Sequence, residues 1–241
     1  MKITKSRTPE ELGAAAAKLT AEKIRTAIRE NGEARIVLST GASQFETLSA
    51  LVKEDVDWSK VEMFHLDEYV NLSEEHPASF RKYLKERFIG IVHPKAAFLV
   101  DGNHPEEAIS FLTEEITKKP IDVALIGVGE NAHIAFNDPP ADFDTKESYI
   151  IVNLDEKCRN QQIGEGWFAT MNDVPTQAIS MTPYRIMQSK TIISAVPHAV
   201  KANAIKLMME NEKTNMVPAT LLKEHPDYYL FVDEKSAGST L

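Results

Sequence analysis

The stretch Ile121–Pro140, IDVALIGVGENAHIAFNDPP, holds the polar groups best placed to do chemistry. An apolar run, Val123-Ala124-Leu125-Ile126, breaks into Gly127-Val128-Gly129. Glu130, Asn131, His133, Asn137 and Asp138 follow, before Pro139-Pro140 forces an extended exit. A histidine between an amide and a carboxylate can carry protons near neutral pH. Three more groups extend the inventory. Ser39-Thr40-Gly41-Ala42-Ser43 is a loop of small residues that can present backbone N–H groups to an anion. Asp67 and Glu68 follow a strand-like run and offer a carboxylate base. Lys201 offers a cation in the first turn of a helix. Cradle, base, imidazole and cation together suit a small phosphorylated substrate that undergoes proton transfer. Each group also has a plainer reading: a tight strand-to-helix turn, a local cap, a structural histidine, a solvated lysine.

These groups need elements to hold them. Residues 8–31 predict a helix: Thr8 can cap it, Pro9 fits its first position, Glu11 suits a capping box, and Gly32 stops it. Short buried strands are expected at Ala34–Leu38, Val61–Leu66, Ala97–Val100, Val123–Ile126, Tyr149–Leu154, Ala178–Met181, Thr191–Val196 and Tyr228–Val232. Helical patterns cover Pro77–Phe88, Pro105–Lys118, Cys158–Phe168 and Ala199–Glu210, with shorter turns at Pro183–Gln188 and Val217–His225. Alternation of strand and helix along the whole chain predicts an α/β fold with a doubly wound, mostly parallel sheet. In such a sheet the loops after the strands converge at the carboxyl edge. No internal repeat or linker interrupts the pattern, so one domain over 1–241 is expected.

Composition excludes several classes. The net charge of −9 and the lack of a dense basic run argue against nucleic acid. No run approaches ~18 apolar residues, so no membrane span is expected. Cys158 is the only cysteine and no apolar leader opens the chain, which fits a cytoplasmic setting. The histidines show no HExxH spacing, Gly127-Val128-Gly129 does not extend to GxGxxG, and GxSxG is missing. Neither a metal nor a dinucleotide cofactor is expected.

Several motifs occur in a fixed order: Thr40-Gly41; Leu66-Asp67-Glu68-Tyr69; His76-Pro77-x-Ser79-Phe80; Gly127-x-Gly129-x-Asn131-x-His133-Ile134-Ala135-Phe136-Asn137-Asp138-Pro139; Val174-Pro175-x-x-Ala178; and the Lys201 helix. Over nearly its whole length the chain resembles the glucosamine-6-phosphate deaminase family. The resemblance implies a Rossmann-like three-layer α/β/α domain. It implies conversion of glucosamine 6-phosphate to fructose 6-phosphate and ammonia, with no metal or organic cofactor. Family members vary in assembly, so a homo-oligomer is compatible with it. By the same resemblance, Asp67 is the base that moves a proton between C2 and C1, and His133 opens the pyranose ring. Asn131 and Asp138 support His133, while Thr40, Gly41, Ala42, Ser43 and Lys201 hold the phosphate.

The chain also departs from the family pattern. Asn131 stands where the family often has Asp, Asp138 where it usually has Glu, and Ala132 where it has Gly. The phosphate loop usually reads Thr-Gly-Gly-Thr-Pro, so Ala42 puts a Cβ where φ > 0 or close ligand approach is expected. The family arginine of an Ala-Asn-x-Arg segment aligns with Gln162, and Arg159, one helical turn away, is its expected substitute. Two alternatives remain: a 6-phosphogluconolactonase, which shares the fold and phosphate loop without needing Asp67 as a carbon base, and a non-catalytic sugar-phosphate binder.

Overall fold

The computed structural model describes residues 1–164 and 166–241, with all their side chains except those of Lys157 and Gln161. The chain begins with β1 (Lys2–Ser6), α1 (Pro9–Asn31), β2 (Ala34–Leu38), α2 (Phe45–Leu51), β3 (Val61–His65) and β4 (Asp67–Tyr69). It continues through α3 (Phe80–Leu84), a π turn at Lys85–Ile89, α4 (Gly90–Val92), β5 (Ala96–Phe98), α5 (Pro105–Thr117) and β6 (Val123–Leu125). Then come β7 (Tyr149–Asn153), α6 (Glu156–Gly164), β8 (Gln177–Met181), α7 (Pro183–Met187) and β9 (Thr191–Val196). The chain closes with α8 (Ala202–Glu210), β10 (Tyr228–Asp233) and α9 (Glu234–Ala237).

Seven parallel strands form the main sheet in the order β1-β10-β9-β6-β2-β3-β5. Side chains alternate across it with period two. Ile36, Leu38, Met63 and Leu125 pack with α1 and α2 on one face. Val37, Phe64, Ala124 and Leu230 pack with α5 and α8 on the other. This is the expected doubly wound α/β/α architecture. Helix α1 starts and stops as its sequence predicts: Thr8 accepts from the Glu11 N–H, and Gly32 adopts φ 81° and donates to the Ile28 carbonyl.

The order places β2 beside β6. From β2 the chain builds outward through β3 and β5; from β6 it builds the other way through β9 and β10. The loops after β2 and β6 therefore diverge and leave a crevice between them, the topological switch point where open α/β sheets bind ligands.

Besides the unexpected edge strand β1, two features differ from expectation. Asp67-Glu68-Tyr69 does not merely follow a strand but is itself one, β4, which pairs antiparallel with β8 in a second sheet of order β4-β8-β7. The helix expected over Cys158–Phe168 runs instead from Glu156 to Gly164. Glu165 lies outside the described residues, and Trp167 both packs against the core cluster around Phe168 and lines the crevice.

Glu68 explains how β4 is held. Its buried carboxylate accepts from the N–H groups of Tyr69 (2.9 Å), Phe80 (3.3 Å) and Arg81 (2.8 Å) and from Ser79 Oγ (3.0 Å). It thereby ties β4 to the start of α3, and Arg81 Nε lies 3.4 Å away. Removing one partner of a buried charge cluster strands the rest. Glu68→Ala is expected to cost about 3–5 kcal/mol in urea unfolding; a loss below about 1 kcal/mol would count against this role.

Candidate active site

A cavity of about 810 Å³ occupies the crevice at the carboxyl ends of the strands. That lies within the range of roughly 300–1,000 Å³ for small-molecule sites. Its lining includes Thr40–Ser43 after β2, Asp67 from β4, Gly127–Asn131 and His133 after β6, and Lys201 after β9. Segments far apart in sequence meet because the parallel sheet delivers each to the same edge.

The Thr40–Ser43 loop is fixed from behind. Ser39 N–H donates to the Leu125 carbonyl at 3.1 Å. Tyr83 Oη donates to the Gly41 carbonyl at 3.1 Å, and Gln44 Nε2 donates to Ser43 Oγ and to the Ala195 carbonyl, each at 3.1 Å. Gly41 takes φ 100°, where a side chain is strained. Ala42, by contrast, opens a 3₁₀ turn and is not among the positive-φ residues. The left-handed position expected at Ala42 is therefore at Gly41, and the Ala42 Cβ is no conformational obstacle. Among the described residues, the N–H groups of Gly41, Ala42 and Ser43 have no protein acceptor. Grouped at the start of a helical segment, they suit an anion.

The His133 loop is a compact scaffold. Asn131 Oδ1 accepts from the His133 N–H at 3.1 Å, and Asn131 Nδ2 donates to Asp138 Oδ1 at 3.0 Å. The same Asp138 oxygen lies 3.0 Å from His133 Nδ1, in ion-pair range though the ring N–H is not aimed along a hydrogen bond. Asp138 stands behind the imidazole rather than in the cavity lining. Burial pushes its carboxyl pKa up, but His133, Asn131 and Cys158 together hold it below the ordinary value. Buried Asn137 fastens the loop to β8, donating to the Ile134 and Met181 carbonyls, each at 2.9 Å. Ala132 and Ala135 adopt φ of 64° and 51°. The Cβ of Ala132 is thus strained where the family pattern has Gly, and neighbouring hydrogen bonds from Ala132 N–H to Gly129 and from Ala219 N–H to Ala132 hold it there.

Asp67 is 6% exposed. Burial, helped by the neighbouring Glu68 charge, pushes its carboxyl pKa from 3.8 up to about 8. A carboxylate tuned near the working pH is a better proton acceptor than an ordinary one. His65 is fully buried, accepts from the Val100 N–H at 3.3 Å, and is pushed down to about 3, so it is a neutral packing residue.

Arg159 is not brought to the cavity, contrary to expectation. Its guanidinium turns away to donate to the Met171 and Val174 carbonyls. Gln162 lines the cavity in its place, accepting from Tyr69 Oη at 2.7 Å. Arg159→Gln is accordingly expected to cost about 1–2 kcal/mol of stability and to leave the KM for a sugar phosphate within about twofold; a tenfold rise in KM would restore Arg159 to the site.

Sequence reasoning also missed His198, Phe80 and Trp167 as lining groups. His198 follows Pro197 at the end of a strong strand, the one signal that could have marked it. The aromatic pair has no spacing that separates cavity wall from core.

A family profile described as glucosamine-6-phosphate isomerases/6-phosphogluconolactonase matches residues 7–230. A glucosamine-6-phosphate deaminase of Streptococcus sanguinis is 33% identical over 238 residues, covering 98% of this chain and 97% of that protein. One from Exiguobacterium sibiricum is 36% identical over 205 residues, covering 84% and 80%. A solved monomeric glucosamine-6-phosphate deaminase superposes with a TM-score of 0.88 at 28% identity, covering 98% of this chain and 99% of its own. A 6-phosphogluconolactonase from Shewanella baltica superposes with a TM-score of 0.80 at 17% identity, covering 97% of each chain, a likeness of fold alone. Profile, relatives and fold agree: the chain belongs to the glucosamine-6-phosphate isomerase/6-phosphogluconolactonase family.

Proposed function

We propose that the chain is a glucosamine-6-phosphate deaminase, a hydrolase that turns glucosamine 6-phosphate and water into fructose 6-phosphate and ammonia. One observation carries the choice of this activity over lactone hydrolysis. Asp67 is a buried carboxylate in the cavity wall with its pKa pushed up to about 8. Carbon deprotonation needs such a base, and lactone hydrolysis does not.

The residues divide the work as follows. The N–H groups of Gly41, Ala42 and Ser43 and the Lys201 ammonium hold the phosphate, with Thr40 shaping the loop. His133, steadied by Asn131 and Asp138, passes the C1 hydroxyl proton to the ring oxygen. The C1–O5 bond breaks and an open-chain aldehyde results. Asp67 then takes the proton from C2; the electron pair forms a C1–C2 double bond as the π pair of the C1 carbonyl moves onto O1, which takes a proton from the 2-ammonium group to give an enaminol. Asp67 returns the proton to C1, leaving an iminium at C2. Water adds at C2, ammonia leaves, and the ketone of fructose 6-phosphate forms. Holding the phosphate end fixes C1 and C2 against the base, which is the entropic part of the catalysis.

All of 1–241 serves this chemistry as one domain. No helix among the described residues is long and apolar enough to cross a membrane. A free, buried Cys158 fits the reducing cytoplasm in which we place the reaction.

The test is a pair of assays run in parallel: ammonia and fructose 6-phosphate from glucosamine 6-phosphate, and hydrolysis of 6-phosphogluconolactone. Equimolar ammonia and fructose 6-phosphate are expected. Lactone hydrolysis without ammonia would make the chain a lactonase, and tight sugar-phosphate binding without turnover would make it a binding protein.

A further inference from the structure

His198 has backbone angles that a histidine rarely adopts. Its φ is 78° and its ψ is 146°, a region favourable to glycine and costly for other residues. The surroundings impose it. His198 N–H donates to Asp233 Oδ2 at 3.0 Å, and the His198 carbonyl accepts from the Lys201 N–H at 3.0 Å. Asp233 is itself buried and fixed by a reciprocal cap with Ser236. Held this way, His198 lines the cavity on the same turn as Lys201. Lys201 is the only lysine or arginine among the described lining residues, because Arg159 is turned away. A phosphate monoester dianion carries more charge than one ammonium balances.

We propose that His198 binds the phosphate group of the substrate, supplying a second side-chain donor beside Lys201, and that its strained backbone is kept because it directs the imidazole to that end of the cavity. The proposal rests on the sugar-phosphate reading above. The charged groups facing the ring are Glu46 of α2, whose Oε1 lies 3.9 Å from Nε2, Glu10 of α1, Asp233 at the end of β10, and Lys201 on its own turn. Strain that persists beside a ligand cavity points to a function for the strained residue.

The experiment measures binding of inorganic phosphate and of glucosamine 6-phosphate by calorimetry at pH 6 and pH 8. It compares the wild type with His198→Gly and His198→Asn, alongside melting temperatures and steady-state kinetics. His198→Gly is expected to melt at or above the wild type, because glycine relieves the strain. Both variants should bind phosphate roughly tenfold more weakly, and KM should rise more than kcat falls. Unchanged phosphate affinity at pH 6 in both variants would overturn the binding role. A melting temperature of His198→Gly well below the wild type would overturn the strain argument. Phosphate binding is read without turnover, so a wild type that releases no ammonia would defeat the deaminase reading separately.

Discussion

Asp67→Asn is expected to lower ammonia release by at least about 10²–10⁴-fold and, at pH 8, to melt later than the wild type. The two effects have one cause. Asp67 is nearly fully buried, and desolvation raises its pKa from 3.8 to about 8. The native state therefore keeps a proton that the unfolded chain releases at about pH 4. Where the native state binds more protons than the unfolded one, stability falls as pH rises. The contribution of Asp67 is complete below about pH 4 and is lost progressively as pH climbs through about 8. Asparagine carries no charge to desolvate. The advantage of the variant should grow across that window, to at least about 1 kcal/mol or about 2–4 °C. Activity runs the other way, because only the carboxylate can take the C2 proton. The kcat/KM of the wild type should rise with pH toward a limb near 8. A profile already flat from pH 5.5 upward, or an Asp67→Asn enzyme that melts earlier at pH 8, would contradict this account of the base.

The second large effect comes from a residue with no side chain. A Cβ on Gly129 would lie 2.3 Å from both Cε1 and Nε2 of His133. That is far inside contact distance, so the ring must move. Gly129 is not among the positive-φ glycines, so it is needed for space rather than for backbone freedom. Gly129→Ala is expected to lower kcat about 10²-fold or more, the scale of a 1 Å misplacement of a reacting group. The imidazole borders an open cavity and can swing aside, so the cost in stability should stay below about 2 kcal/mol. Gly127→Ala is the control: its Cβ would meet Gln44 Nε2 at 3.4 Å, an ordinary contact. A kcat for Gly129→Ala within threefold of the wild type would remove the imidazole from the proposed chemistry.

The parts of the fold that were legible in the sequence are those with strong periodicity or caps. The helix α1 between Thr8 and Gly32 and the strands Ala34–Leu38 and Thr191–Val196 follow from apolar pattern and punctuation alone. The β1 strand was not legible: it is a short edge strand, mostly exposed and lysine-bearing, with no buried face to leave a pattern. The β4 strand was hidden for another reason. Three residues cannot display an alternation, and its partner β8 is remote in sequence. Nothing in the sequence marks its acidic pair as buried, because the burial of Glu68 depends on Ser79 and Arg81, which only the fold brings near.

At the site, the loops were legible because glycine and small residues follow buried strands. Orientation was not. Spacing placed Arg159 one helical turn from Gln162, but only three-dimensional packing shows its guanidinium spent on the Met171 and Val174 carbonyls. The two alanines that depart from the family pattern looked equivalent in sequence, yet Ala132 sits at φ 64° and Ala42 does not share that geometry. Backbone strain at His198 is likewise a property of the packed chain, imposed by Asp233.

The central claim is that Asp67 cleaves the C2–H bond before ammonia departs, and it is tested most directly by glucosamine 6-phosphate carrying deuterium at C2. The product is followed by NMR. Every ammonia released should be matched by loss of deuterium from C2. Part of that deuterium should reappear at C1 of fructose 6-phosphate, because the buried base holds it between the two carbons. Ammonia released while the deuterium remains on C2 would contradict it.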